Sequence, residues 1–267
     1  MAPTESSIFI PEGELFVPTE HARGPWDPNA LHGGSIAALM TTAFEGVLGG
    51  HELPIGRLSF EMLRPIPLAP LSLTTRIVRA GRRVLELAGE LRSGEDVLIC
   101  RASALRVQAV PNDLPIDLLS THMDEEMRGP EEAELRRFAL DDPDRNSFAA
   151  SAMEMRWLHE PTLHGSAQVW MRLRHPLVPG EELTPLARLA ATADFGNGVS
   201  AVLPFDRFIF INADLSIHLH RPPRGEWIGL DARTRLHGGG TGLAESVLHD
   251  AYGTVGRAFQ TLVVQQR

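Results

Sequence analysis

Cysteine and positive charge are both scarce in this sequence, and each shortage excludes a class of function. Its 267 residues include one cysteine, Cys100, so neither an internal disulfide nor a cysteine-based metal site can form. Lysine and arginine total 25 against 34 acidic residues, which gives a formal charge of −9. General nucleic-acid binding requires clustered positive charge to neutralise phosphates, so we expect no nucleic-acid partner.

Long apolar runs are missing as well. No run approaches the roughly 18 residues that a membrane-spanning helix needs. The opening residues, MAPTESSIFIPEGELF, lack the positive start and apolar core of a signal peptide. We therefore expect a soluble protein of the reducing cytoplasm that has no membrane span.

An internal repeat is the most informative feature that is present. The segment LSFEMLRPIPLAPLSLTTRIVRAG, from Leu58, aligns with LSIHLHRPPRGEWIGLDARTRLHGG, from Leu215. Further on, SGEDVLICRASALRV aligns with AYGTVGRAFQTLVVQ, which sets Arg101 against Gln260. Each copy follows an apolar helix pattern, so we interpret the chain as a duplicated unit.

Periodicity gives each copy one helix followed by strands. Apolar residues at helical spacing predict a helix over 34–48, and Thr184 with Pro185 predicts the start of a second. Alternating runs predict antiparallel strands over 57–64, 70–79, 83–92 and 96–108, and over 206–220, 226–236, 242–250 and 255–265. Two long central helices, each wrapped by a curved antiparallel sheet, form a tandem (double) hot-dog fold of the α+β class.

The domain division follows from the repeat. We assign residues 1–110 to an N-terminal hot-dog unit and residues 148–267 to a C-terminal one. Residues 111–147 contain MDEEMRGPEEAELRR, which is too charged for a core and predicts an acidic linker. Two fused units leave long sheet edges, which favour a homodimer.

Three polar residues occur in the second copy at positions where the first copy has none of the same type. Asp194, in LAATADFGNG, lies on the apolar face of its helix, where a carboxylate is costly unless it is bonded. It either closes the helix or acts on a ligand. Gln260 is either a cross-strand polar residue or part of a site, and Asn212 is either a local backbone cap or part of the same site.

The motifs HGGSIAALM, ADLSIHLHRPPRGEWIGL and GTVGRAFQTLVV resemble those of the acyl-CoA thioesterase II group of double hot-dog proteins, over nearly the whole chain. The resemblance implies hydrolysis of an acyl-CoA without a metal or redox cofactor. It also implies that an Asp, a Thr or Ser, and a Gln hold the attacking water. By motif position these fall on Asp194, Asn212 and Gln260, and Asn212 departs from the family because it lacks a hydroxyl group.

The implied chemistry also uses the start of the first helix. Asp194 would act as general base, and free N–H groups of the first helical turn would bind the oxyanion. Gly33 and Gly34 would let the substrate carbonyl approach the backbone, and close packing against the sheet is the alternative explanation for them. Arginines such as Arg64 or Arg221 would be available to the phosphates of coenzyme A.

Two other functions stay open. GPWDPNALHGG resembles the Asp-x-Asn-Pro-Leu-His loop of R-specific enoyl-CoA hydratases, with Ala30 in place of proline, and would make Asp27 and His32 the acid/base pair. Ordinary turn chemistry also accounts for Asp27 and Asn29. The third function is that of a non-catalytic double hot-dog protein that binds an acyl ligand.

Overall fold

A computed structural model describes residues 7–47, 53–94, 96–109, 127–138, 145–162 and 164–267. Its α-helices are α1 (Gly33–Gly46), α2 (Pro185–Ala193) and α3 (Gly196–Val199), with a 3-10 helix at Glu20–Ala22 and a π-helix at Phe148–Ala152. The strands are β1 (Phe9–Glu12), β2 (Leu15–Pro18), β3 (Ile55–Met62), β4 (Leu71–Ala80), β5 (Val84–Ser93), β6 (Leu98–Val107), β7 (Glu134–Leu135), β8 (Met153–His159), β9 (Ser166–Leu173), β10 (Phe208–Asn212), β11 (Asp214–Leu219), β12 (Ile228–His237), β13 (Thr241–Asp250) and β14 (Gly253–Gln266).

The strands of the described residues form one antiparallel sheet. Its order is β1-β2-β4-β5-β6-β3-β11-β14-β13-β12-β9-β8-β7, and β10 pairs with β14 beyond the end of β11. The predicted runs agree with β3–β6 and β12–β14 to within two residues at each end. The predicted strand 206–220 is instead two strands, separated at Ala213, whose N–H donates to Thr261 O at 2.9 Å.

The centre of the sheet confirms the duplication. The repeat aligns Leu58 with Leu215, and therefore Ser59 with Ser216. In the structure Ser59 and Ser216 are paired partners in β3 and β11. Outward from this pair the strands follow corresponding orders, β3-β6-β5-β4 on one side and β11-β14-β13-β12 on the other. The two copies are thus related by an approximate two-fold axis between β3 and β11.

The same pairing corrects one detail of the repeat alignment. Ser103 pairs opposite the central serine of β3, and Phe259 pairs opposite the central serine of β11. The next residues, Ala104 and Gln260, therefore correspond, and both are buried. Arg101, which the sequence alignment set against Gln260, is exposed. An alignment shifted by an odd number of residues exchanges the two faces of a strand, so the alignment was wrong here.

The two main helices lie antiparallel on the sheet. Thr184 is the N-cap of α2 and accepts from the Ala187 N–H at 3.0 Å, with Pro185 first in the helix, which confirms the predicted start. The Thr184 hydroxyl also donates to Glu45, near the end of α1, at 2.6 Å. At 14 residues α1 is a long helix, but α2 ends after nine, shorter than the prediction of two long helices.

Most of the predicted linker, residues 111–126 and 139–144, lies outside the described residues. In the described part, β7 pairs with β8, and Phe138 is buried in the core. The domain boundaries at residues 110 and 148 stay a prediction. No described helix is long and apolar enough to span a membrane.

Candidate active site

The first turn of α1 meets the end of α2, and this junction contains the predicted site residues. Asp194 is the residue that ends α2, and it is 5% exposed. Its Oδ1 accepts from Asn212 Nδ2 at 2.9 Å, and its Oδ2 lies 3.0 Å from His32 Nδ1. Asn212, at the end of β10, also donates to Asp214 O at 3.2 Å. A buried carboxylate is thus held between an amide and an imidazole.

Gln260 fixes the backbone that carries this carboxylate. It is 1% exposed, and its Nε2 donates to the backbone oxygen of Asp194 at 3.0 Å. Its Oε1 accepts from the Asn197 N–H at 2.9 Å, and Asn197 Nδ2 donates to Phe210 O at 3.1 Å. Gln260 therefore bridges the break between α2 and α3, and holds the main chain of Asp194 in place.

The two glycines are close-packed at this junction. A Cβ atom on Gly33 would lie 2.7 Å from Asp194 Oδ2, and one on Gly34 would lie 2.5 Å from the carbonyl oxygen of Ala191. Gly34 N–H, expected to be free, donates to His32 Nδ1 at 3.0 Å. Gly33 is the first residue of α1, a position where the N–H has no acceptor within the helix.

Asp27 and His32, the acid/base pair of the hydratase alternative, lie in different surroundings. Asp27 is exposed, and its Oδ1 accepts from the Asn29 N–H at 2.8 Å in a local turn. His32 is 8% exposed and contacts Asp194. The sequence motif placed these two side chains together as a pair, whereas the structure brings together His32 and Asp194.

Two known protein-domain families match the sequence of this chain. The sequence profile of the acyl-CoA thioesterase C-terminal domain matches residues 130–264, and that of the acyl-CoA thioesterase N-terminal domain matches residues 22–107. The chain belongs to the acyl-CoA thioesterase family. Membership supports thioester hydrolase activity for this chain. No curated protein sequence matches it significantly.

Solved structures show that this thioesterase family member has the hot-dog fold. A hot-dog protein of unknown function from Alicyclobacillus acidocaldarius is 14% identical, with a TM-score of 0.72 over 98% of this chain and 97% of that chain. The acyl-CoA thioesterase II TesB2 of Mycobacterium marinum is 18% identical, with a TM-score of 0.67 over 96% and 93%. The TesB protein of Mycobacterium avium subspecies paratuberculosis is 16% identical, with a TM-score of 0.65 over 96% of each chain.

One of the arginines suggested for coenzyme A already has a partner in this thioesterase. Arg221 donates to both carboxylate oxygens of Asp250, at 2.6 and 2.7 Å. Asp250 also accepts from the backbone N–H groups of Arg224 and Tyr252. Burial acts to raise the pKa of Asp250, but the bonds from Arg221 and from these two N–H groups lower it overall. Arg64 is exposed. Arg221 therefore supports the fold, and Arg64 stays the candidate for a phosphate contact.

Two aromatic rings lie against His32, and the sequence pattern did not predict them. Phe195 stacks on the imidazole with ring centres 4.3 Å apart and an angle of 27° between planes, and Phe148 lies at 5.2 Å. Phe195 directly follows Asp194 in the sequence, so its place beside the site follows from the chain. Phe148 comes from a distant segment, and only the tertiary structure brings it to the site.

The glycine pair gives a matched prediction in this thioesterase. Gly34→Ala meets a backbone oxygen, which cannot move aside, and we expect it to lower the free energy of unfolding by about 1–3 kcal/mol. Gly33→Ala meets the end of the Asp194 side chain, which can rotate away. We expect it to lower kcat about 10- to 100-fold with a smaller effect on stability, because the base is displaced. Urea denaturation and steady-state kinetics of both variants check this, and the reverse ranking would contradict it.

Cys100 is the only cysteine and lies close enough to sense Asp194. Burial first, and then the negative charges of Glu61 and Asp194, raise the pKa of the Cys100 thiol to about 12. We therefore expect no reaction of the native protein with a thiol reagent at about pH 8, because the reactive species is the thiolate. Denatured protein should react at its single cysteine. Fast reaction of native protein would contradict the buried position and would add background to any assay of released coenzyme A.

Proposed function

We propose that the protein hydrolyses an acyl-CoA thioester to a free acid and coenzyme A through a water activated by Asp194. The observation that carries this proposal is the buried Asp194 carboxylate, held by Asn212 and His32 against the first turn of α1. In this proposal the carboxylate accepts a proton from water beside the Gly33 N–H, which binds the developing oxyanion. Family membership supports the thioester as the bond that is cleaved.

The proposed reaction has two steps. The water oxygen bonds to the thioester carbonyl carbon while Asp194 takes a proton from the water, and the carbonyl oxygen becomes negative. The N–H of Gly33 binds this oxyanion. The carbon–sulfur bond then breaks, and the proton held by Asp194 passes to the thiolate of coenzyme A. Atoms and charges balance without a metal or redox cofactor.

Asn212 and Gln260 have positioning roles in this proposal. Asn212 donates to Asp194 Oδ1, so it orients the carboxylate, and its amide oxygen would accept from the attacking water. An asparagine can thus serve where the resemblance implies a hydroxyl. Gln260 uses one N–H on the backbone of Asp194 and retains a second N–H for the water.

The test is an assay of purified protein on acyl-CoAs of different chain length together with one enoyl-CoA. One channel follows free thiol and the other follows loss of the conjugated double bond. Thiol release supports the proposal and identifies the preferred acyl group. Loss of the double bond without thiol release would favour a hydratase. Binding of an acyl-CoA with no thiol release and no loss of the double bond would favour a binding protein.

Three further statements stay predictions. We expect a homodimer, a cytoplasmic location and the domain boundaries given above. Light scattering of the purified chain tests the first, and fractionation of cells tests the second. Separate expression of residues 1–110 and 148–267 tests the third.

A further inference from the structure

The Nδ1 atom of His32 faces a donor and an acceptor at the same distance. It lies 3.0 Å from the Gly34 N–H nitrogen and 3.0 Å from Asp194 Oδ2. Without a proton, Nδ1 accepts from Gly34; with a proton, it donates to Asp194. One ring nitrogen cannot do both at once. The protonation of this atom therefore decides which of the two groups it binds.

The ring cannot avoid this choice by rotating. It is 8% exposed and is packed against Phe195 and Phe148, whose ring centres are 5.9 Å apart. Of the described ionisable groups, Asp194 contacts the ring. On the sheet, the Cys100 thiol of β6 interacts electrostatically with Asp194 and with Glu61 of β3. A proton on Nδ1 is thus stabilised mainly by the Asp194 carboxylate.

We propose that His32 couples proton transfer to oxyanion binding, by releasing the Gly34 N–H when its Nδ1 carries the proton that Asp194 removed from water. This inference rests on the function proposed above. Before attack, Nδ1 accepts from Gly34 and the amide is occupied. When the water loses its proton, the proton moves through Asp194 to Nδ1, which then donates to Asp194 Oδ2 instead of accepting from Gly34.

The freed amide then completes the oxyanion site. Gly34 N–H joins Gly33 N–H on the first turn of α1 as a donor to the negative oxygen. When the carbon–sulfur bond breaks, the proton returns through Asp194 to the departing thiolate, and Nδ1 accepts from Gly34 again. His32 is a positioning residue in this scheme, because it acts through Asp194 and Gly34 without touching the substrate.

His32→Asn is the informative variant. An asparagine can still accept from the amide at the start of the helix but cannot take up a proton. His237 offers a matched control, because its Nδ1 accepts from the Gly239 N–H at 3.1 Å in an exposed hairpin. We expect His32→Asn to lower kcat roughly 10-fold or more with little change in KM, and to remove the limb of the pH–rate profile that His32 controls. His237→Asn should change neither.

A second measurement needs no turnover. In protein labelled with nitrogen-15 at glycine, we expect the Gly34 amide resonance to shift when Nδ1 of His32 gains a proton, because the amide then loses its acceptor. Asp194→Asn should move the midpoint of this shift to lower pH, because the protonated ring loses its carboxylate. The Gly239 amide should follow His237 in both proteins, with an unchanged midpoint. A Gly34 amide resonance that does not shift when His32 changes its protonation would overturn the inference.

The two proposals fail in different ways. If Asp194→Asn abolishes thiol release while His32→Asn keeps the wild-type pH profile, the coupling is wrong and the proposed function stands. If Asp194→Asn retains full thiol release, the proposed base is wrong. The coupling is then wrong as well, because Asp194 would have no proton from water to pass to His32.

Discussion

Asp194→Asn is expected to lower kcat for acyl-CoA hydrolysis by about 100-fold or more, while the protein stays folded. The amide has the shape of the carboxylate and fits the same space. Its oxygen can still accept from Asn212, and its NH2 group can donate to His32 Nδ1. It cannot accept a proton from water. The loss should therefore appear in kcat, with the denaturation midpoint changed little.

Asp27→Asn is the matched control for this result. Asp27 is exposed, and an asparagine oxygen can accept the same bond from the Asn29 N–H. We expect thiol release close to that of the wild type. Thiol release by both variants is followed on the preferred acyl-CoA, with circular dichroism to check folding. Full activity of Asp194→Asn, or a larger loss in Asp27→Asn, would contradict the assignment of the base.

Gln260→Ala is expected to produce the largest loss of stability among the site variants. Gln260 is the partner of two main-chain groups, Asp194 O and Asn197 N–H, and all three lie in the buried junction. Each buried group left without a partner costs about 1–3 kcal/mol, so the free energy of unfolding should fall by roughly 2–6 kcal/mol. Turnover should fall too, because the end of α2 that carries Asp194 loses its support.

Gln168→Ala controls for the loss of a strand glutamine. Gln168, in β9, is partly exposed and donates to Asp231 at 2.9 Å, where water can replace it. We expect its free energy of unfolding to fall by less than about 1 kcal/mol. Urea denaturation of both variants makes the comparison. Equal losses would show that Gln260 has no special role at the junction.

The sequence predicts the sheet better than it predicts the site. The repeat identifies two corresponding strands, and the structure shows that they pair with each other at Ser59 and Ser216. The predicted strands do not include β8 and β9, although MEMRWLH and SAQVWMRL alternate, because these strands precede the helix of their copy. Short, weakly similar segments fix strand order well and residue register poorly, as the error at Gln260 shows.

The site itself depends on contacts between distant parts of the chain. Asp194 stood out because a carboxylate on an apolar helix face needs a partner. That partner, His32, lies in the other copy, and nothing in the local pattern joins them. The motif around Asp27 and His32 pointed to a near neighbour instead. The bond from Gly34 to His32 likewise depends on backbone geometry that composition does not encode.

The measurement that tests the central claim most directly is a single turnover in water labelled with oxygen-18. The free acid and the peptide containing Asp194 are then weighed by mass spectrometry. If Asp194 activates water, the acid carries one labelled oxygen and the peptide keeps its natural mass. Label in the peptide with an unlabelled acid would contradict the account, because it would mean that the carboxylate itself attacks the thioester.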